Sequence, residues 1–193
     1  MRKFDVVIIG GGLAGVTAAT ALQKAGMKCV LVAEGLSLSE APRDEFRAAG
    51  GTILAGDRVT GGTFGPDGRL LCVSTEKLGD CTLEAREFVL AIGKYFSRGI
   101  VADMEKVYEP LFGLDVIYEK DHSLWFAPRF ADPQPFLEFG VASEGGCALR
   151  GGAVIPNLHP AGEVLAGIST AQGDATESIR QSALEAAEAI IQS

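Results

Sequence analysis

The stretch Asp5-Val-Val-Ile-Ile-Gly-Gly-Gly-Leu-Ala-Gly15 decides the fold, because it joins an apolar run to a turn made of glycines. An alanine-rich segment follows as far as Gly26, and a second apolar run, Cys29-Val-Leu-Val-Ala33, ends on the carboxylate of Glu34. Short apolar runs of this kind are typical of buried strands in a parallel sheet. The pattern therefore predicts a strand, a glycine turn, a helix and a second strand, in that order.

The glycines of this turn, Gly10, Gly12 and Gly15, have the Gly-x-Gly-x-x-Gly spacing. The first permits a tight turn, the second lets the backbone approach a pyrophosphate, and the third lets the helix pack closely. The helix N-terminus offers unpaired N–H groups to the same pyrophosphate. Glu34, nineteen residues after Gly15, is placed to accept from ribose hydroxyls, which favours FAD or NAD over NADP. The alternative is a glycine-rich turn without a ligand.

Composition limits the protein class. The 193 residues are 47% hydrophobic and include 25 glycines, which fits a single α/β domain over residues 1–193. The net charge of -8 makes a nucleic-acid partner unlikely. The apolar segment near the N-terminus is explained by the glycine turn, so we expect no signal peptide and no transmembrane segment.

The four cysteines are far apart in the sequence and include no Cys-x-x-Cys pair; they are Cys29, Cys72, Cys81 and Cys147. No metal site, iron–sulfur ligand run or dithiol redox site is therefore indicated. Cys29 lies within an apolar strand and is expected to be a core residue. This cysteine usage favours a reducing, cytoplasmic location.

The predicted elements continue in order along the chain. After the helix over residues 13–24 we expect a strand over 27–33, a helix over 43–49 and a strand over 52–55, which together predict a parallel, doubly wound sheet. Three short strands then form an antiparallel β-meander without helices, and a further buried strand covers residues 87–91. The expected meander strands are residues 58–64, 69–75 and 81–85.

Residues 94–153 hold most of the aromatic residues and are expected to form short strands and irregular loops. They form either a lid or edge layer over the sheet, or a surface that covers a cofactor ring or meets another subunit. The last helix is expected over residues 175–191, and Asp174 and Glu177 have the spacing of a capping box. Helical periodicity predicts its buried face as Ile179, Ala183, Leu184, Ala187, Ile190 and Ile191.

Two later segments resemble motifs of the FAD-dependent oxidoreductase superfamily. Phe88-Val-Leu-Ala91-Ile92-Gly93 resembles the alanine-threonine-glycine motif that follows the meander, with isoleucine in place of threonine. Asn157-Leu-His-Pro-Ala-Gly162-Glu163 resembles the late glycine–acid motif, whose acid binds the ribityl chain of the flavin. An NAD-only domain would need neither motif, so FAD outranks NAD. The implied fold is a Rossmann-like FAD/NAD(P)-binding domain.

A closer resemblance is to the family of B subunits of anaerobic glycerol-3-phosphate dehydrogenase. It rests on residues 2–15, 113–115, 126–128, 134–140 and 171–173. Family members carry a large insert after the second strand, whereas here only a few residues separate Glu34 from Arg43. The substrate domain is therefore expected to be largely absent. The resemblance implies FAD, or FMN as the alternative, and partner subunits that carry the dehydrogenase site and iron–sulfur clusters.

The motifs and the resemblance together imply a set of cofactor-binding residues. Val59 would meet the adenine through its backbone, Glu163 would bind the ribityl hydroxyls, and the N-terminus of the last helix would face N1 and O2 of the flavin. The expected residues are Gly10, Gly12, Leu13, Ala14, Gly15, Ala33, Glu34, Gly35, Val59, Ala91, Ile92, Gly93, Gly162, Glu163, Gly173, Ala175 and Thr176.

The catalytic residues stay unknown at this stage. A dehydrogenase needs a base for the hydroxyl proton. The histidines are His122, expected in a solvated loop, and His159, which adjoins the glycine–acid motif and is expected to be structural, with a catalytic role near the flavin as the alternative. Three functions follow: a redox or electron-transfer subunit in a dehydrogenase complex, a small standalone flavin-binding protein without substrate turnover, and a degenerate fold without cofactor.

Overall fold

The computed structural model describes residues 2–35, 40–129, 132, 134–168 and 173–193. The helices are α1 (Leu13–Lys24), α2 (Glu40–Ala48) and α3 (Thr176–Gln192). The strands are β1 (Arg2–Lys3), β2 (Val6–Ile9), β3 (Cys29–Ala33), β4 (Thr52–Ala55), β5 (Val59–Phe64), β6 (Leu70–Thr75), β7 (Leu83–Glu84), β8 (Glu87–Leu90), β9 (Val101–Ala102), β10 (Val107–Tyr108), β11 (Val116–Ile117), β12 (Gly140–Val141), β13 (Ser143–Glu144), β14 (Cys147–Arg150), β15 (Ala153–Val154) and β16 (Leu158–Pro160). Ala171 and Gln172, part of the family resemblance, lie outside the described residues.

The centre of the fold is a five-stranded parallel sheet in the order β16-β8-β2-β3-β4. Every residue of β2, β3 and β8 is buried, because both faces of the sheet are covered. The carboxyl ends of these strands meet at one edge, where open α/β sheets bind their ligands. The prediction of a Rossmann-like domain with a parallel sheet and an antiparallel meander is confirmed.

Different elements pack against the two faces of the sheet. The three helices pack on one face, where α1 lies between α2 and α3 and Phe46 and Leu22 are fully buried. On the other face the core is filled by apolar residues of the meander and of residues 94–155, including Val73 and Phe139. The expectation of a doubly wound sheet is therefore wrong in this respect: among the described helices, none covers the second face.

The meander strands β5, β6 and β7 pair antiparallel as predicted, but the sheet has a fourth strand. β1 pairs parallel with β7, so the chain passes from one sheet to the other between Lys3 and Val6. Asn157 ties this sheet to the start of β16. Its amide oxygen accepts from the N–H of Leu70 at 2.9 Å, and its amide nitrogen donates to the carbonyls of Leu70 and Arg86 at 2.8 Å each.

The described residues between 94 and 153 form short strands, loops and two single-turn 3₁₀ helices, His122–Leu124 and Pro135–Leu137, as expected. The prediction for the last helix needs two corrections. Leu184 and Ile191 are 40% and 48% exposed, and the buried face instead includes Ser182 and Ala186. Asp174 precedes the N-cap residue Ala175 and accepts from the N–H of Thr176 at 2.9 Å, so the predicted capping box is wrong.

Candidate functional site

The glycine turn is fixed by close backbone packing. Gly10 has φ +109°, in the left-handed region that favours glycine, and a Cβ there would overlap the carbonyl oxygen of Ala91 at the end of β8. A Cβ at Gly15 would overlap the carbonyl oxygen of Gly10. These contacts hold the start of α1 against the carboxyl ends of β2 and β8.

The N-terminus of α1 faces open space. A Cβ at Gly12 would meet no described atom within 4 Å. The first turn of α1 contains no acidic residue and its N-cap is a glycine, so no side chain of this turn neutralises the positive end of the helix dipole. At α3, by contrast, Glu177 lies in the first turn and Asp174 accepts from the N–H of Thr176. Leu13 and Ala14 therefore begin a helix whose end is suited to an anion.

The end of β3 lies beside this turn. A Cβ at Gly11 would overlap the Cβ of Ala33. The exposed carboxylate of Glu34 lies 4.0 Å from a terminal nitrogen of Arg58, whose Nε binds Glu76 at 3.1 Å. Arg58 directly precedes Val59, the buried first residue of β5. The contact between Arg58 and Glu34 therefore brings the start of β5 close to the end of β3.

The other half of the predicted site lies where β8 and β16 end. Ile92 and Gly93 follow β8, and a 3₁₀ turn, Gly162–Val164, follows β16, so the two segments leave neighbouring parallel strands at the same edge. A Cβ at Gly162 would lie 2.5 Å from the Cβ of Ala14, which explains the glycine there. The N–H of Gly162 donates to Ser182 of α3 at 2.9 Å.

The start of α3 approaches the same edge. A Cβ at Gly162 would lie 3.5 Å from a methyl group of Ile179, one turn after Thr176. Gly173 has φ +146°, and Ala175 packs against the core shared by α1 and α3. All the residues predicted to bind the cofactor therefore belong to segments that border one edge of the sheet.

Two buried cations at this edge were missed by the sequence analysis. Among the described side chains, the buried nitrogen and oxygen atoms without a hydrogen-bond partner are Nε of Arg43 and Nζ of Lys94. Arg43 is three residues before the buried Phe46 on α2, a spacing that puts both on one face of the helix but does not mark Arg43 as a site residue from sequence alone. Lys94 directly follows the Ala91-Ile92-Gly93 segment.

Lys94 is 9% exposed and its Nζ lies 4.7 Å from the centroid of the Phe139 ring. Burial lowers the pKa of Lys94, and the negative charges of Glu163 and Glu138 oppose that shift. Lys94 and Glu163 therefore interact electrostatically across the ends of β8 and β16.

The histidines do not supply an evident base at this edge. Nε2 of His159 lies 3.1 Å from Glu87, at the opposite end of β8, and Glu87 also binds Arg69 at 3.0 Å. This buried chain of contacts agrees with a structural role for His159. His122 is exposed and packs against Trp125 in a tilted arrangement, with ring centroids 4.1 Å apart.

The thiol nearest to His159 is that of Cys147, with its Sγ 4.0 Å from Nδ1 of the histidine. Burial, followed by the charge of Glu87, raises the pKa of Cys147, which favours the protonated thiol over a reactive thiolate. Burial also raises the pKa of Cys29 to about 12, as expected for a core cysteine. Within the described ranges, no helix has the length and apolar character needed to cross a membrane.

Comparison with known proteins gives a family for this chain. The family described as FAD binding domain matches residues 5–41 and 34–178. The B subunit of anaerobic glycerol-3-phosphate dehydrogenase from Vibrio vulnificus is 38% identical over 138 residues, which are 69% of this chain and 31% of that protein. The chain thus spans less than a third of the length of the curated relatives it matches.

Solved structures show the same fold at low sequence identity. A thioredoxin reductase from Gloeobacter violaceus has a TM-score of 0.61 at 14% identity, over 99% of this chain and 94% of that chain. A geranylgeranyl bacteriochlorophyll reductase-like protein from Thermoplasma acidophilum has a TM-score of 0.62 at 12% identity, over 100% of this chain and 79% of that chain. The prediction of an FAD-binding fold, in preference to an NAD-only domain, is confirmed. Since the family match extends over most of its length, this chain belongs to the FAD-binding domain family.

Proposed function

We propose that this chain is the flavin-binding domain of an oxidoreductase or electron-transfer subunit, and that it holds FAD along the carboxyl edge of its parallel sheet as a single domain. The observation that carries the proposal is the start of α1: its dipole has no acidic neighbour in the first turn, and the space in front of Gly12 is open. A cofactor diphosphate supplies the missing negative charge.

The described residues offer groups suited to each part of this cofactor. The N–H groups of the first turn of α1 would bind the diphosphate, and the exposed Glu34 would accept from the adenosine ribose. Gly93 and Glu163 border the other half, where Glu163 would bind the ribityl hydroxyls. The N–H of Thr176 is already bound by Asp174, so the free donors of α3 come from the two residues that follow it.

The bound flavin supplies the hydride and electron chemistry. The chain would orient the cofactor and exclude water, and the free N–H groups at the start of α3 would face the flavin. His159 is held by Glu87, so the base for an alcohol substrate would come from another domain or subunit. We therefore propose partner subunits, a dehydrogenase and an iron–sulfur protein, as the relatives' designation as B subunits suggests. The free thiols of Cys29, Cys72 and Cys147 suit a reducing, cytoplasmic location.

The test is to purify the protein, record its absorbance spectrum and identify any molecule released on heating by chromatography and mass. We expect a flavin spectrum and FAD. Release of FMN would show that the cofactor is FMN rather than FAD. Failure of the apo protein to bind any added flavin would overturn the proposal.

A second experiment tests whether this chain oxidises a substrate by itself or depends on a partner subunit. Glycerol 3-phosphate is added to the flavin-loaded chain under anaerobic conditions. We expect no bleaching of the flavin by the isolated chain, and reduction only when a dehydrogenase subunit is present. Bleaching by glycerol 3-phosphate alone would show that this chain carries its own substrate site.

A further inference from the structure

Arg43 is a buried cation without a counterion among the described residues. It is 3% exposed, and a terminal nitrogen donates a hydrogen bond to the carbonyl oxygen of Gly35 at 3.0 Å. Nε is buried and has no partner. Phe46, one turn later, is fully buried on the same face of α2, so Arg43 is held inside by the packing of its helix.

Two other arginines, in contrast, have carboxylate partners. Arg47 on the same helix binds Asp44 at 3.1 Å, and Arg69 binds the largely buried Glu87 at 3.0 Å. Among the described residues, no acidic side chain forms an ion pair with Arg43. A buried charge is costly unless it is paired and hydrogen-bonded, so the position of Arg43 implies a negative partner that the described part of the chain does not supply.

The location of Arg43 identifies the partner. A terminal nitrogen of Arg43 lies 4.0 Å from where a Cβ on Gly11 would be, in the middle of the glycine turn. Gly35, its hydrogen-bond acceptor, directly follows Glu34. The guanidinium therefore lies between the turn that begins α1 and the end of β3, so that a helix dipole and a full positive charge converge on one place.

We propose that Arg43 binds the diphosphate of the cofactor and makes this edge selective for ligands that carry an adenosine diphosphate group. The proposal rests on the proposed function, since it assigns a residue to the same site. Guanidinium and phosphate oxygens form paired, charge-assisted hydrogen bonds. The side chain does not take part in redox chemistry; it is a binding residue that the fold holds at a cost to its own stability.

Removal of the Arg43 charge should raise the stability of the apo protein and lower its affinity for the cofactor. Arg43→Met keeps a long apolar side chain and removes the unpaired charge, so the apo protein should unfold at a higher temperature than wild type. The same change removes a charge-assisted contact to the diphosphate, so affinity for FAD and for ADP should fall by at least about tenfold. Affinity for riboflavin, which has no phosphate, should be unchanged.

The experiment measures Kd for FAD, ADP and riboflavin by calorimetry, together with apo melting temperatures, in wild type, Arg43→Met, Arg43→Lys and Arg47→Met. Arg47 is exposed and paired on the same helix, and its variant should match wild type in every assay. Arg43→Lys keeps the charge and should recover part of the ADP affinity.

Three results would overturn the proposal: unchanged Kd for FAD and ADP in Arg43→Met, an equal loss of riboflavin affinity, or a lower apo melting temperature than the control. The last would show that Arg43 serves the fold alone. If wild type binds neither FAD nor ADP, the proposed function fails instead, and the apo melting temperatures still report whether Arg43 is an unpaired charge.

Discussion

The N–H of Gly162 donates to the side-chain oxygen of Ser182 at 2.9 Å, and that hydroxyl donates in turn to the carbonyl of Ile179 at 3.0 Å. Both groups are buried. Gly162 therefore contributes to the edge of the sheet through its close packing on Ala14 rather than through a free N–H. One hydroxyl thus joins α3 to the turn that carries Glu163.

Ser182→Ala should leave the N–H of Gly162 buried and unsatisfied. We expect a loss of about 1–3 kcal/mol in the free energy of unfolding, measured by urea denaturation. Ser178→Ala, on the exposed face of the same helix, is the control and should change stability by less than about 0.5 kcal/mol. Equal effects of the two substitutions would contradict this role for Ser182.

Gly12→Val should abolish FAD binding and leave the fold largely intact. Gly12 has extended backbone angles that any residue adopts, and a Cβ there meets no described atom within 4 Å, so the side chain would occupy only the ligand's space. At about 100 times Kd, FAD should stabilise wild type by about 2.7 kcal/mol, and this increment should be missing in the variant.

The matched comparison for Gly12→Val is Gly10→Ala. The positive φ of Gly10 and the overlap with the carbonyl of Ala91 predict that even one methyl group prevents stable folding. Circular dichroism should show native helix content for Gly12→Val and its loss for Gly10→Ala. A folded Gly12→Val with normal flavin content would refute the position assigned to the diphosphate.

Glu34→Gln should weaken FAD binding about tenfold without a change in stability, because a charged acceptor for the ribose hydroxyls is replaced by a neutral one and the side chain is exposed. Glu76→Gln is the control, since it removes the other carboxylate that binds Arg58. Fluorescence titration with FAD measures the affinity of the two variants. If Glu76→Gln had the larger effect, Arg58 rather than Glu34 would determine the affinity.

Lys94→Met should stabilise the apo protein at neutral pH by about 1–2 kcal/mol, since the amine is buried without a hydrogen-bond partner. The pKa of Lys94 is lowered by burial, so the folded state binds this proton less tightly than the unfolded state does. Wild-type stability should then rise with pH from the lowered pKa up to the unfolded value of 10.5, and the advantage of the variant should shrink over that window.

Lys28→Met is the control for Lys94→Met. Lys28 also lies over an aromatic ring, 5.0 Å from the centroid of Phe4, but it is exposed. Its replacement should change the free energy of unfolding at neutral pH by less than about 0.5 kcal/mol, because the side chain is solvated. A pH-independent difference for Lys94→Met would show that Lys94 is not a strained, buried charge in the folded protein.

The elements with strong local signals were predicted from the sequence. Helix α1 has the predicted bounds, since glycines mark both of its ends and small apolar residues fill its length. Strand β16 was missed because its residues include Pro160, which sequence patterns place outside central strands. It lies at the edge of the sheet, where a residue without an N–H costs no interior hydrogen bond.

Other features depend on contacts between distant parts of the chain. β1 has two residues and no periodicity of its own, and its pairing with β7 follows from the way the two sheets pack. On α3 the buried face is rotated toward Ser182 because its hydroxyl satisfies Gly162, which hydrophobic periodicity cannot anticipate. The motifs indicate which segments border the site, but Arg43 becomes a candidate only when its burial and lack of a partner are known.

The close packing of the glycine turn also affects the rate at which a ligand can bind. The backbone of Gly10 packs closely against both Gly15 and Ala91. The turn has therefore lost its conformational freedom on folding, before any ligand binds. Binding at a preformed turn needs no ordering of the backbone there. The association step at this end of the site should therefore be a single encounter, limited by diffusion and orientation rather than by a slow rearrangement of the protein.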